Sequence, residues 1–580
     1  MENKNDKLDI LRHSVSHILA SAVLEMFPEA KFGIGPTIED GFYYDFDLPR
    51  TLIPEDLPIL EEKMRAIIKQ NLVFEKKQID VKKAQELFKK AKQPYKVELI
   101  KDLIKDEKAK NVTIYKTGNF VDLCRGPHID STGEIKPDAF KLLKIAGAYW
   151  RGSEKNKMLQ RIYGTTFENK KELEAYLKKL EEAEKRDHRK LGPKLGLFFF
   201  HETAPGMPYW LPNGLHILNT LIDFWRQEHT KRGYIEIAAP LINKKELYEI
   251  SGHWEHYRKE MFLSQTEDKE IYALKPMNCP NAMVIYQQQS RSYRELPLRL
   301  GDTDVLHRNE LSGTLSGLFR VRSFRQDDAH IFVTEEQVEE EYERIFEIIQ
   351  LFYSIFNMEY YFRLSTEPDE FMGDSKTWDK ARSMLEKILK NSGKKYVTGD
   401  KEGAFYGPKV DIMMKDSLGR EWQMGTVQLD FQIPRAFNLT YTDEKGKQKT
   451  PVCLHRVIYG SLERFIGILI EHYAGAFPVW LAPEQVWVLP IGSRHEEYAF
   501  KVTEALKKDG LRVIVKNENE TIGKKIREGE MQKIPYLLIV GDKEISSDSV
   551  AVRERGKGDL GPMKIEKFIE KITDEIANKK

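Results

Sequence analysis

The chain opens on a helical rhythm. In KLDILRHSVSHILASAVLEMF the apolar positions Leu8, Leu11, Val15, Ile18, Leu19 and Val23 recur at three- and four-residue steps, which predicts an amphipathic helix over residues 8–27. On such a helix His13 and His17, four apart, share one face. A turn-rich stretch, GIGPTIEDGFYYDFD, follows, then mixed helical and strand-like segments to about residue 150. Residues 170–190, KKELEAYLKKLEEAEKRDHRK, place leucines at helical spacing among dense charges. That pattern predicts a solvated helix, and residues 170–194 read as a connector. Beyond it, separated strand candidates dominate: YIEIAAPLI, VLHRNEL, LFRVRSF, HIFVT, YYFRLST, KVDIMMK and GTVQLDF. No parallel βαβ repeat links them, so antiparallel α+β is expected. After LAPEQ the rhythm changes. VWVLPIG, LRVIVKN and YLLIVGD alternate with helical windows near 497–508 and 521–532, as a small α/β domain should. The predicted boundaries are 1–169, 170–194, 195–483 and 484–580.

Composition narrows the function classes. A chain of 580 residues exceeds what one core supports, so several domains are expected. No apolar run approaches the ~20 residues of a bilayer span, and the start MENKNDKLD is polar, without a secretory pattern. Only Cys124, Cys279 and Cys453 occur, far apart, which predicts no disulfide scaffold and a cytoplasmic location. Net charge is +1, so any nucleic acid must be held by local patches rather than by a global field.

Two constellations carry candidate chemistry. His13 and His17 sit in HSVSH, where a zinc hydrolase would place the water-activating Glu at the position of Ser14. A second four-residue pair, Cys124 and His128, lies in CRGPH. From side chains alone a closed zinc site, a metal-free catalytic site and plain helix-face residues all stay open. Cys279, His330 and His455 offer one soft thiolate and two imidazoles, a set that suits Zn²⁺ and leaves a coordination position free. Their separations, 51 and 125 residues, carry no local signature, so on spacing alone core histidines and a buried thiol are the better reading.

Three ordered stretches are more specific together than apart. GYIEIAAPLI, HRNELSGTLSGLFRVRSF and YGSLERFIGILIEH resemble motifs one, two and three of the class II aminoacyl-tRNA synthetases. MNCPNAM, QDDAHIF, GAFYGPK, GTVQLDF, LHRVIYGSLERF, HSVSH and DLCRGPHI resemble the threonyl-tRNA synthetases within that class, and the resemblance spans essentially the whole chain. It implies an N-terminal α+β editing domain, an antiparallel α+β catalytic domain and a C-terminal α/β anticodon-binding domain. The activity implied is threonine–tRNA ligation: L-threonine activated with ATP and Mg²⁺, transferred to tRNA(Thr), and misattached serine hydrolysed. Arg308 would contact the α-phosphate, Glu310 the adenine amino group, and Phe324 the ring face. Arg320 and Arg464 would meet the outer phosphates and the ring's other side, assisted by Lys409, with Gln423 and Ser461 also at the nucleotide. One zinc ion per subunit, on Cys279, His330 and His455, would read threonine's amino and hydroxyl groups, with Met277, Gln326, Asp328, Tyr406 and Gln428 around it. His13, His17, Lys96, Asp122, Cys124 and His128 would form a metal-free pocket hydrolysing seryl-tRNA.

The same resemblance implies a homodimer built on motif one and no membrane. Lys524, Lys525, Arg527, Arg553 and Arg555 would face RNA or solvent. Two departures stand out. Ala282 in CPNAM replaces a histidine common in the family, and the ubiquitin-like (TGS) module that usually precedes the first histidine pair has no counterpart ahead of His13. Two rival readings remain: a non-catalytic paralogue acting as an RNA-binding regulator, and a metallohydrolase centred on HSVSH.

Overall fold

The computed structural model describes residues 4–580, so the first three residues of the polar start lie outside the described residues. Contacts divide the chain into two compact units, one ending at Glu182 and one running from Ala183 to Lys580.

In the first unit the opening helix spans Lys4–Met26. It stops ahead of Pro28, whose ring disfavours helical backbone at Phe27. Val15, Ile18, Leu19 and Val23 are fully buried, as the periodicity predicts, but so are Ser14 and Ser16. The middle of the helix is therefore enclosed on every side. It packs on strand Gly41–Asp47 of a five-stranded antiparallel sheet and on helix Asp56–Lys69. A second sheet, Glu75–Asp80, Asn111–Thr117 and Phe120–Leu123, carries Asp122 toward that helix.

The connector is not one helix. Lys170–Arg186 ends, Asp187 leaves helical backbone, and a new helix runs from His188 to Lys194. The Asp187 carboxylate accepts from Arg189 N at 2.8 Å, an N-cap that stabilises the restart.

The second unit is built on a nine-stranded sheet. Its central strands, Leu298–Asp302, Ser323–Val333, Val452–Ser461, Glu421–Asp430, Lys409–Lys415 and Tyr360–Ser365, are antiparallel, and only the outermost pairings are parallel. Helices Pro212–Thr230, Val338–Ile355 and Leu462–His472 bury their apolar faces in its main core. LFRVRSF and HIFVT, expected as separate strands, differ from that reading. Gly317–Phe319 is a 3₁₀ turn, and Ser323–Val333 is one continuous strand. The polar QDD in its middle reads as a break. Yet Asp327 is fully buried because its carboxylate accepts from Ile458 N and Gly460 N of the neighbouring strand, at a bulge between Gln326 and Asp328. Residues 486–564 form a five-stranded sheet whose first three strands are parallel and last two antiparallel. No helix among the described residues is long and apolar enough to cross a membrane.

Candidate active sites

Strand register explains how Cys279, His330 and His455 meet. His330 lies opposite His455, and His455 opposite Gln428, in one row across three strands. Cys279 opens helix Cys279–Gln287 above them. The three candidate ligand atoms lie within 4.8 Å of one another, and all three residues are buried. His330 Nδ1 is buried without a hydrogen-bond partner, and His455 Nε2 is 2.8 Å from Asp430 Oδ2. A carboxylate behind an imidazole is the usual orienting partner of a zinc-bound histidine. The donor set, the orphan nitrogen and the carboxylate fit zinc. Where the family histidine is missing, Ala282 is buried, and another imidazole reaches the thiol: His253 Nε2 lies 3.6 Å from Cys279 Sγ. Burial holds His253 down at about 3, so it is neutral at physiological pH.

Cys279, His330 and His455 line a cavity of about 290 Å³, together with Met277, Arg308, Gln326, Asp328, Tyr406 and Gln428. Asn278 Nδ2 donates to Asp328 Oδ2 at 3.2 Å. Burial raises Asp328 above the ordinary carboxylate range, so it gains most from a cationic ligand group. At the mouth the Arg308 guanidinium lies 5.0 Å from the Phe324 ring centroid. Glu310 pairs with Arg320 at 2.7 Å. Arg464 Nε donates to Phe319 O at 2.9 Å, while burial, Arg308 and Arg320 lower its pKa. Such a cation is poised to receive phosphate. Ser461 caps the helix that carries Arg464.

Gln423 and Lys409 are placed differently. Gln423 Nε2 donates to Asp411 Oδ1 at 2.8 Å and Lys409 Nζ pairs with Asp411 at 3.0 Å, so neither lines the cavity. Asp411, Asp430 and His253 were not singled out from the sequence.

The first unit assembles the other constellation. Cys124 Sγ lies 3.3 Å from both His13 Nε2 and His128 Nε2. His13 Nδ1 is 3.2 Å from Pro127 O, an acceptor only, so that nitrogen carries the proton. Ser14 gives its proton to Ile10 O, and its oxygen accepts from Ile129 N and faces His128 Nδ1 at 3.1 Å. His128 is thereby also fixed with its proton on Nδ1. Deeper, His17 Nε2 is 3.5 Å from Asp122 Oδ2, which Lys96 and Tyr44 also contact. Tyr44 carries no signal in the sequence, and Ser14 stands out there only as the residue in place of a catalytic Glu. Burial pushes the Cys124 thiol up to about 12, so it stays protonated.

Burial lowers the pKa of His13, His17 and His128 alike. Unfolded, each binds a proton near 6.5; folded, each resists it. The unfolded chain takes up more protons below that value, so this stabilisation is present above about pH 6.5 and drains as pH falls, by up to about 1.4 kcal/mol per pH unit for each histidine. Urea midpoints of the whole chain should accordingly fall between about pH 7.5 and 5.5, and His17→Asn should lose part of that difference.

In the C-terminal region two of the five candidate RNA contacts are structural. Lys525 is buried, its Nζ 3.1 Å from Pro490 O. Arg555 is held by the carbonyls of Lys533 and Phe477. Lys524 and Arg527 are exposed.

Comparison with known proteins places these regions. Residues 257–473 match the tRNA synthetase class II core domain (G, H, P, S and T), 485–575 the anticodon binding domain, and 112–163 the threonyl and alanyl tRNA synthetase second additional domain. A threonine–tRNA ligase from Clostridium tetani is 52% identical over 98% of this chain and 88% of its own length. One from Caldanaerobacter subterraneus is 53% identical over 98% and 87%. A crystal structure titled as the RNA binding domain of threonyl-tRNA synthetase from Cryptosporidium parvum matches 67% of this chain and 98% of that one, with 41% identity and a TM-score of 0.65. With half the sequence shared over nearly the full length, and with the class II core and both accessory domains in order, the chain belongs to the threonine–tRNA ligase family of class II aminoacyl-tRNA synthetases.

Proposed function

We propose that the second unit activates L-threonine with MgATP and transfers it to the 3′ end of tRNA(Thr), while the first unit hydrolyses seryl-tRNA(Thr). The observation that carries the synthetic half is the cavity in which Cys279, His330 and His455 face Asp328, with Arg308 at its mouth. Cys279, His330 and His455 would hold one zinc ion, which when bound supplies a Lewis-acid position that an amino alcohol fills and valine cannot. Asp328 receives the substrate's polar groups, and Tyr406 and Gln428, hydrogen-bonded to each other, close the pocket wall. Arg308 and Arg464 neutralise the charge that grows on the α-phosphate, and Phe324 stacks on adenine. Glu310 exchanges its pairing with Arg320 for the adenine amino group.

Serine loses only a methyl against threonine, a difference of about 1–3 kcal/mol, too little for translation, so hydrolytic correction is needed. His13, His17, Lys96, Asp122, Cys124 and His128 supply it without a metal, His17 and Asp122 managing the proton of the attacking water. In the motif-one segment Ile235, Leu241 and Ile242 are 54%, 40% and 54% exposed. Apolar side chains left open this way support a second copy covering them in a cytoplasmic homodimer.

Pyrophosphate–ATP exchange with threonine, serine and valine tests the reading. Threonine should lead, serine should follow within roughly 10–200-fold, and valine should fall at least ~10⁴-fold behind. No exchange above background with any of them would favour the non-catalytic RNA-binding reading.

A further inference from the structure

His188, Asp187 and Glu471 form a buried trio outside the residues assigned so far. Their bonds define what they are. His188 Nδ1 lies 2.7 Å from Glu471 Oε1, and Leu318 N donates to His188 Nε2 at 3.0 Å. A carboxylate can only accept and a backbone amide can only donate. The imidazole is therefore neutral, protonated on Nδ1, with both nitrogens occupied. The trio is a relay of hydrogen bonds rather than a vacant cation site.

The relay ends at the nucleotide residues. Leu318 belongs to the turn Gly317–Phe319 inside motif two. Gly317 has φ +50°, and a Cβ there would stand 2.3 Å from His188 Nε2, so the turn is seated directly on the imidazole. The Phe319 ring lies 4.1 Å from the His188 ring, and its carbonyl accepts from Arg464 Nε. Glu471, on the helix that also carries Arg464, is further held by Arg420, whose guanidinium lies 5.6 Å from the Phe319 ring. Three hydrogen bonds, on the Glu471 carboxylate, on His188 Nε2 and on the Phe319 carbonyl, thus close a ring from Glu471 through His188 and the Gly317–Phe319 turn back to Arg464. Arg320, the next residue along, leaves the turn toward Glu310.

We propose that His188 is a positioning residue for the ATP site: it holds the motif-two turn so that the Phe319 carbonyl aims Arg464 at the nucleotide. The proposal rests on the ligase reading above for the role of Arg464. It assigns a task to the start of the second unit, six residues past the boundary between the units, that no contact with substrate would reveal.

Full-length His188→Ala should raise KM for ATP roughly tenfold in threonine-dependent exchange, the effect of one lost hydrogen bond that leaves a buried amide unpaired. KM for threonine should move less than about twofold, and seryl-tRNA deacylation should not change. His188→Gln offers an oxygen to Leu318 N and should recover most of the loss. A merely structural role would lower Tm while leaving the ratio of the two KM values alone. Should H188A fail to fold, Glu471→Gln, which keeps an acceptor for Nδ1 and removes the charge facing Arg420, should give the same selective rise at roughly threefold. An unchanged KM for ATP, an equal rise for ATP and threonine, or a His188→Gln no better than H188A would overturn the proposal. Calorimetric ATP binding by the same variants separates the two readings. Wild-type chain that binds ATP but exchanges nothing sinks the ligase reading. Unweakened ATP binding in H188A sinks this one.

Discussion

Cys279→Ser should cut threonine-dependent exchange by on the order of 10³-fold and lose the one zinc ion proposed for the wild-type chain. Cys279 is 3% exposed, and burial, Asp328 and Asp430 all raise its thiol pKa. A thiolate there is stable only beside a cation, and a serine hydroxyl, far less acidic, cannot take its place. Removing partners behind metal ligands already costs 10–100-fold in such sites, so losing a ligand outright should exceed that. ATP binding should survive within about threefold, because Arg308, Phe324 and Arg464 do not depend on the sulfur. What distinguishes this from general damage is specificity: residual exchange should no longer separate threonine from valine, since the position that rejects valine has gone. Zinc per chain and exchange with both amino acids decide it. A zinc-free C279S enzyme with full threonine exchange would remove the metal from substrate selection.

The sequence carried some of this geometry openly and hid the rest. Strand alternation was enough to see that Gln428 and Asp430, two apart in GTVQLDF, share a face. Read that way, Asp430 could have been found as the partner behind His455, with which it pairs at 2.8 Å. The restart at His188 was equally available, since Asp187 followed by a helical window is an N-cap signal. Other contacts had no local trace. His253 meets Cys279 across 26 residues, and Ser14 meets His128 across 114. Charge was the most misleading guide. Lys525 and Arg555 look like solvated or RNA-facing cations, yet both bury their stems and spend their donors on backbone carbonyls. Burial of a cation depends on whether a carbonyl lies within reach, which one chain segment cannot report.

The first unit gives the second large effect. His17→Ala should reduce seryl-tRNA(Thr) deacylation by about 10²–10³-fold while leaving threonine exchange at the wild-type level, since removing a positioned proton-transfer group costs about that much. With serine, ATP and tRNA(Thr) present, the variant should accumulate seryl-tRNA that wild type does not. The pocket's electrostatics add a sign. Burial lowers the pKa of His17 well below 6.5, with His13 and Lys96 lowering it further, so it is neutral at pH 6.5. Deacylation should therefore show no falling limb around pH 6.5, where an unperturbed histidine base would lose its activity. Cys124 sharpens the test. Its thiol, pushed up to about 12, is a proton donor to its neighbours rather than a nucleophile, so Cys124→Ser, which also donates, should keep most of the activity. A Cys124→Ser variant as inactive as His17→Ala would turn the thiol into the attacking group. Zinc analysis addresses the remaining rival, because His13, His17, Cys124 and His128 bring their ligand atoms within 4.8 Å of one another. A second equivalent of zinc per chain, lost in His13→Ala with deacylation, would make this a metallohydrolase site and overturn the metal-free mechanism.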